Sequence, residues 1–135
     1  MKFYRCAKCG KIVCPVAETP AELVCCGEAM HALVPGEKEG DGEKHIPVCS
    51  IEKGVVWVRV GTREHPMDEG HHIDWIAVET KAGCRLKYLK PCCYPEAQFA
   101  LLPNEEVLRI YAYCNQHGLW HHECPCRDGF VLTKS

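Results

Sequence analysis

Residues 55–60, Val55-Val56-Trp57-Val58-Arg59-Val60, are a run of β-branched and aromatic side chains bounded by turn-forming residues. Such a run favours a pleated strand. Comparable runs recur at 75–79, 85–89, 98–102 and 107–113, with glycine, proline or asparagine between them. No segment sustains a 3.6-residue apolar period between capping residues, so helix is expected to be scarce. Short strands in series without helical crossovers predict an all-β fold, an antiparallel sandwich. The tryptophans, Trp57, Trp75 and Trp120, are expected in its core.

Upstream of the sandwich, residues 36–42, GEKEGDG, are charged, glycine-rich and free of apolar anchors. This reads as a linker. It divides the chain into a small domain at 1–36, a connection at 37–42 and a larger domain at 43–135. The small domain is too short to bury a sufficient core unaided, so a metal site is expected to staple it.

The chain has 135 residues, a formal net charge of −2 and a sequence pI of about 6.4. It has no Lys/Arg-rich run. Neither a nucleic-acid footprint nor a membrane-surface patch is therefore expected, which leaves a small molecule or another protein as partner. Twelve cysteines would suit a secreted disulfide scaffold, but the opening MKFYRCAKCGK has neither an apolar stretch nor a small-residue cleavage site. A cytoplasmic chain with reduced thiols is expected, and there clustered cysteines serve more often as metal ligands.

Two ligand sets stand out. Cys6-x-x-Cys9 is answered by adjacent Cys25-Cys26, four sulfurs that suit iron or zinc. Neighbouring side chains diverge in extended backbone, so joint ligation by Cys25 and Cys26 is expected to strain the tetrahedron. Cys14 is read as a spare buried thiol. The second set, mostly imidazole, comprises His45, His65, one of the adjacent pair His71 and His72, and the compact chelating loop Cys114-x-x-His117. In extended backbone only one of His71 and His72 can face the metal, and spacing does not choose between them. His31, His121 and His122 are read as surface residues, and Met67 is left out of the set.

FYRCAKCG and LVCCGEAM, followed by EKHIPV, HPMDEGHHIDWI and YCNQHGLW, resemble the signature segments of desulfoferrodoxin, the two-iron form of superoxide reductase. The resemblance runs from Phe3 to about Trp120. It implies a desulforedoxin-like rubredoxin-type metal domain ahead of an immunoglobulin-like catalytic β-sandwich. It implies iron at two mononuclear sites, one held by Cys6, Cys9, Cys25 and Cys26, the other by His45, His65, His71, His117 and the thiolate of Cys114. The implied reaction is one-electron reduction of superoxide to hydrogen peroxide, with an external, rubredoxin-like donor restoring ferrous iron. Lys44 would attract the anion and help protonate the product, and Glu43 would approach the iron in its ferric resting form. A homodimer is also implied.

Two readings compete with this one. The chain could be a metal-binding protein holding zinc, which is the alternative occupant of the four-cysteine site, or an electron carrier that uses the small site alone. Dismutation ranks below reduction. Cys49, Cys84, Cys92, Cys93, Cys124 and Cys126 depart from the family pattern and are read as additional soft ligands or spare thiols without an assigned role.

Overall fold

The computed structural model describes residues 1–126, the side chains of 124–126 excepted, so the thiols of Cys124 and Cys126 lie outside the described residues. The chain divides into two compact units, residues 1–34 and 35–135.

In the first unit, β1 (Tyr4–Arg5) pairs antiparallel with both β2 (Ile12–Val13) and β5 (His31–Ala32), and β3 (Val24–Cys25) pairs with β4 (Glu28–Ala29). These strands are two residues long, and the buried apolar side chains here are Phe3 and Cys6. Two such side chains contribute only about 3–6 kcal/mol on burial. The unit therefore depends on something besides apolar packing. The β3–β4 connection is a two-residue turn, Cys26-Gly27, with φ of +54° and +76°. Positive φ at both central positions is the requirement of a type I′ hairpin turn, which Gly27 meets freely and Cys26 at some cost.

The second unit opens with the four-residue helix α1 (Gly42–His45), N-capped by Asp41, whose side chain accepts the Glu43 N–H. Seven strands follow: β6 (Pro47–Glu52), β7 (Val55–Val60), β8 (Ile73–Thr80), β9 (Gly83–Tyr88), β10 (Glu96–Ala100), β11 (Val107–Cys114) and β12 (Gly118–Cys126). They form two antiparallel sheets, ordered β10-β7-β6 and β12-β11-β8-β9. First, second and fifth strands in one sheet, with seventh, sixth, third and fourth in the other, is an immunoglobulin-like sandwich.

Alternation along β7 shows how the core forms. Val56, Val58 and Val60 are buried and meet Ile51, Ile76, Val78, Ile110 and Ala112, while Trp57 points outward and is 47% exposed. That corrects the expectation for Trp57, whereas Trp75 and Trp120 are buried as expected. Trp75 is buried by stacking on its cross-strand neighbour Tyr113 at 5.6 Å, outside the inter-sheet cluster, and Trp120 packs instead on His45. Period-2 side-chain direction, rather than hydrophobic size, sets these outcomes.

The strand expected at 55–60 matches β7, and those at 75–79, 85–89, 98–102 and 107–113 correspond to β8 to β11 with no end shifted by more than two residues. β6 and β12 were not anticipated. Each abuts a candidate ligand, β6 beginning after His45 and β12 after His117. Residues 36–42, read as a linker, pack within the second unit: the Gly36 N–H donates to the Leu119 carbonyl at 2.8 Å, and Asp41 caps α1.

Candidate metal centres

The Cys6–Gly10 turn is closed by Gly10 N–H to Cys6 C=O at 2.9 Å and delivers Cys6 and Cys9 to one side. The left-handed turn at Cys26 then brings neighbouring thiols together. Cys9 Sγ lies 3.7 Å from Cys25 Sγ, and Cys25 Sγ 3.9 Å from Cys26 Sγ. All four sulfurs lie within 4.8 Å of one another. Metal–sulfur bonds of about 2.3 Å set tetrahedral edges of about 3.8 Å, so the four thiols match a tetrahedral ion. The adjacent sulfurs of Cys25 and Cys26 keep a tetrahedral spacing because the I′ turn breaks the alternation of their side chains. The Cys9 N–H points at Cys6 Sγ and lowers the Cys6 thiol to about 6, whereas hydrogen bonding to the Cys9 thiol raises Cys25 to about 12. Cys14 is outside the group, and it is exposed where burial was expected.

The second group joins His45, His65, His71, Cys114 and His117, one donor atom from each, all within 4.8 Å. His65 Nε2 is 3.0 Å from His45 Nε2, His45 Nε2 is 3.1 Å from His117 Nδ1, and His117 Nδ1 is 3.1 Å from His71 Nε2. Metal–nitrogen bonds of about 2.1 Å at right angles set neighbours about 3.0 Å apart, so these nitrogens lie along three sides of a square. The His65 and His71 rings, with centroids 4.9 Å apart, face across the fourth. Cys114 Sγ, fully buried, lies 3.7 Å from His117 Nδ1.

Two of the rings are oriented from behind. His45 Nδ1–H donates to the Asp41 carbonyl at 2.7 Å and His65 Nδ1–H to the Pro66 carbonyl at 2.6 Å, which leaves both Nε2 lone pairs facing the group. Trp120 stacks on His45 at 5.0 Å, and its indole N–H donates to the His117 carbonyl at 3.1 Å. The turn between Cys114 and His117 is tied to the 70–72 loop by Asn115 and Gln116. Asn115 Oδ1 accepts the His72 N–H at 2.8 Å, and Gln116 Nε2 donates to the Gly70 carbonyl at 2.7 Å. Asp41, Asn115 and Gln116 escaped the sequence reading; only the helix-capping character of Asp41 offered a signal there.

Burial lowers the basicity of His45 and His71, and takes His65 down to about 4. These rings are neutral at neutral pH and offer lone pairs without competition from protons. Burial also raises the Cys114 thiol. The donor set fits a first-row divalent cation that tolerates both imidazole and thiolate.

The remaining candidates separate clearly. His72 faces away, with Nε2 2.7 Å from Asp74 Oδ1 and Nδ1 2.8 Å from the Asp68 carbonyl. His31 is exposed, and His121 and His122 are half-buried on β12; none belongs to a ligand group among the described residues. The sulfur of Met67 accepts the Ile73 N–H instead of joining the donors. Lys44 is half-buried and, with His65, lines a cavity of about 570 Å³. Glu43 is exposed, its carboxylate 3.5 Å from Arg63.

Comparison with known proteins agrees with this geometry. Residues 1–33 match the family model described as desulfoferrodoxin, N-terminal domain, and residues 37–123 match the model described as desulfoferrodoxin. A desulfoferrodoxin homolog from Archaeoglobus fulgidus is 41% identical over 120 residues, covering 89% of this chain and 94% of the relative. The desulfoferrodoxin of Nitratidesulfovibrio vulgaris is 39% identical over 122 residues, covering 90% and 95%. The crystal structure of the superoxide reductase from Treponema pallidum superposes with a TM-score of 0.76 at 33% identity, covering 90% of this chain and 98% of that one. With the larger family model alone spanning more than half of its length, this chain belongs to the desulfoferrodoxin family.

Proposed function

We propose that this protein is a superoxide reductase. The observation that carries the reading is the group of four imidazole rings, their nitrogens 3.0–3.1 Å apart along three sides of a square, with the buried thiol of Cys114 beside it. Five protein donors are one fewer than an octahedral cation accepts, which leaves room for one small substrate. Iron held by His45, His65, His71, His117 and Cys114 would supply the single electron that superoxide needs. With two protons, that electron takes superoxide to hydrogen peroxide.

The surrounding residues handle the substrate. Lys44, on the cavity wall beside His65, attracts the anion and holds a proton near the product. Glu43 stands at the start of the same helix and is the carboxylate available to the centre after the product leaves. A rubredoxin-like carrier returns the electron. The four cysteines at the N-terminus hold a second iron, with zinc as the alternative occupant. We assign residues 1–36 to the desulforedoxin-like domain and 43–135 to the catalytic domain, with 37–42 between them. The same reading makes the protein a cytoplasmic homodimer; none of the described helices is long and apolar enough to cross a membrane.

The test is a superoxide pulse into the reduced, anaerobic protein with a chemical reductant present, following hydrogen peroxide and dioxygen together. One peroxide per superoxide and no dioxygen is the expected result. Half a dioxygen and half a peroxide per superoxide, above the spontaneous background, would make the protein a dismutase. A rate no faster than the protein-free control would leave the electron-carrier or zinc-holding reading.

A further inference from the structure

Cys92 and Cys93 belong to neither ligand group, yet both line the cavity that Lys44 and His65 also line. Their backbone is unusual. The Cys93 N–H donates to the Lys90 carbonyl at 3.3 Å, closing a turn in which Pro91 comes second and Cys92 third, with φ of +69°. Proline holds φ negative, so a positive φ at the next residue marks a type II turn, whose third position glycine fills freely and an L side chain only with strain. A thiol therefore occupies a position where the backbone favours glycine. The Cys92 N–H to Met67 C=O hydrogen bond, 2.7 Å, ties this turn to the segment that follows His65. Extended backbone would send the two side chains to opposite faces, but left-handed Cys92 breaks that alternation. Both thiols are exposed.

We propose that Cys92 and Cys93 are a peroxide-reactive pair that captures hydrogen peroxide formed at the metal centre whose ligand His65 lines this cavity, and closes to a vicinal disulfide. The proposal rests on the superoxide reductase reading. One thiolate attacks a peroxide oxygen, the O–O bond breaks, and the chain gains a sulfenic acid while one water leaves. The neighbouring thiol attacks that sulfur, forming the S–S bond and releasing a second water. Two thiols lose two electrons and one peroxide gains them, so the balance needs no further oxidant. Adjacent Cα atoms stand about 3.8 Å apart, inside the roughly 4.4 Å lower limit of ordinary disulfides, so the bridge is strained. Strained bridges are readily reduced, and a dithiol reductant would restore the pair.

The experiment treats the reduced, iron-loaded full chain anaerobically with one equivalent of superoxide, or of reagent hydrogen peroxide, each with and without catalase. Alkylation and peptide mass mapping follow. After superoxide, the peptide holding Cys92 and Cys93 should refuse both alkyl groups and weigh two hydrogens less, even with catalase present, because the peroxide arises beside the cavity that the pair lines. Its oxidation should exceed that of exposed Cys84 by about tenfold, the margin that proximity confers. Cys92→Gly, which suits the left-handed backbone, should fold, keep its rate with superoxide and release more peroxide in its first turnover. Oxidation no greater than at Cys84, oxygen adducts without a bridge, or a bridge that catalase abolishes would each overturn the proposal. If Cys92→Gly makes no peroxide from superoxide, the reductase reading fails. The reagent-peroxide arm then decides alone whether the pair reacts with peroxide.

Discussion

Lys44 carries a positive charge on the wall of a cavity that opens beside His65, and a fixed cation there raises the local concentration of a small anion. Replacing Lys44 with alanine should slow the second-order reaction with superoxide by about tenfold, and the remaining rate should depend less on ionic strength. Stopped-flow rates at two salt concentrations measure both. The neighbours His71 and His72 offer a sharper contrast. His71 Nε2 faces His117 Nδ1 at 3.1 Å, whereas His72 is engaged by Asp74 and the Asp68 carbonyl. His71→Ala should weaken metal retention at the second centre by at least the roughly 10–100-fold attached to supporting residues, and His72→Ala should leave the metal bound. Metal content after gel filtration reads the difference.

Among the elements, α1 holds Glu43, Lys44 and His45, and it is clasped by the chain leaving β7. The Gly61 N–H donates to the Ile46 carbonyl at 3.0 Å, and the Arg63 N–H to the Glu43 carbonyl at 2.9 Å. A Cβ on Gly61 would meet the carbonyl oxygens of Lys44 and Arg63 at 2.6 Å and of Glu43 at 2.7 Å, at a φ of +82°. Gly61→Ala should cost about 2–4 kcal/mol in chemical denaturation and loosen metal at His45 as well. Gly70→Ala, where nothing lies within 4 Å, should stay within about 0.5 kcal/mol.

Glu105 performs a comparable task at the opposite ends of the strands. It accepts hydrogen bonds from Thr80 Oγ1 at 2.6 Å, the Leu102 N–H at 3.0 Å and Arg85 at 3.1 Å. The Thr80 hydroxyl foremost, then the Leu102 amide, hold its carboxyl below the usual glutamate range. A carboxyl lowered on folding stabilises above its unfolded value of about 4.3 and loses that contribution as pH falls through the folded value. Glu105→Gln should therefore be less stable by about 1–3 kcal/mol at pH 7 in urea unfolding, and the gap should narrow as the pH falls below the unfolded value of about 4.3.

For the whole molecule, each of the two units carries its own ligand group. In the first, Phe3 and Cys6 are the buried apolar side chains, and their burial falls short of the roughly 10 kcal/mol that a structural metal supplies to a small domain. The second unit has an apolar cluster spanning both sheets. Cys9→Ala should open residues 1–34 to limited proteolysis and remove the metal there, while the second centre keeps its metal at one per chain. Cleavage mapping and metal analysis of the same sample check both parts.

What the sequence determined by itself was chemistry and periodicity. Cysteine and histidine spacing named every member of both ligand groups except the choice at His71, and β-branched runs located five of the seven sandwich strands, because ligand type and side-chain alternation are local properties. The resemblance to desulfoferrodoxin implied His71, but only packing shows why: Asn115 and Gln116 hold the 70–72 loop so that His71 faces inward and His72 turns to Asp74. Other outcomes were likewise tertiary. Trp57 faces solvent because its neighbours Val56 and Val58 take the core side of β7. Cys25 and Cys26 converge because a type I′ turn allows φ of +54°. Cys92 and Cys93 share a cavity with Lys44 because a type II turn is anchored on Met67. Each depends on where the chain turns and what it packs against, and contacts between residues distant in sequence decide that.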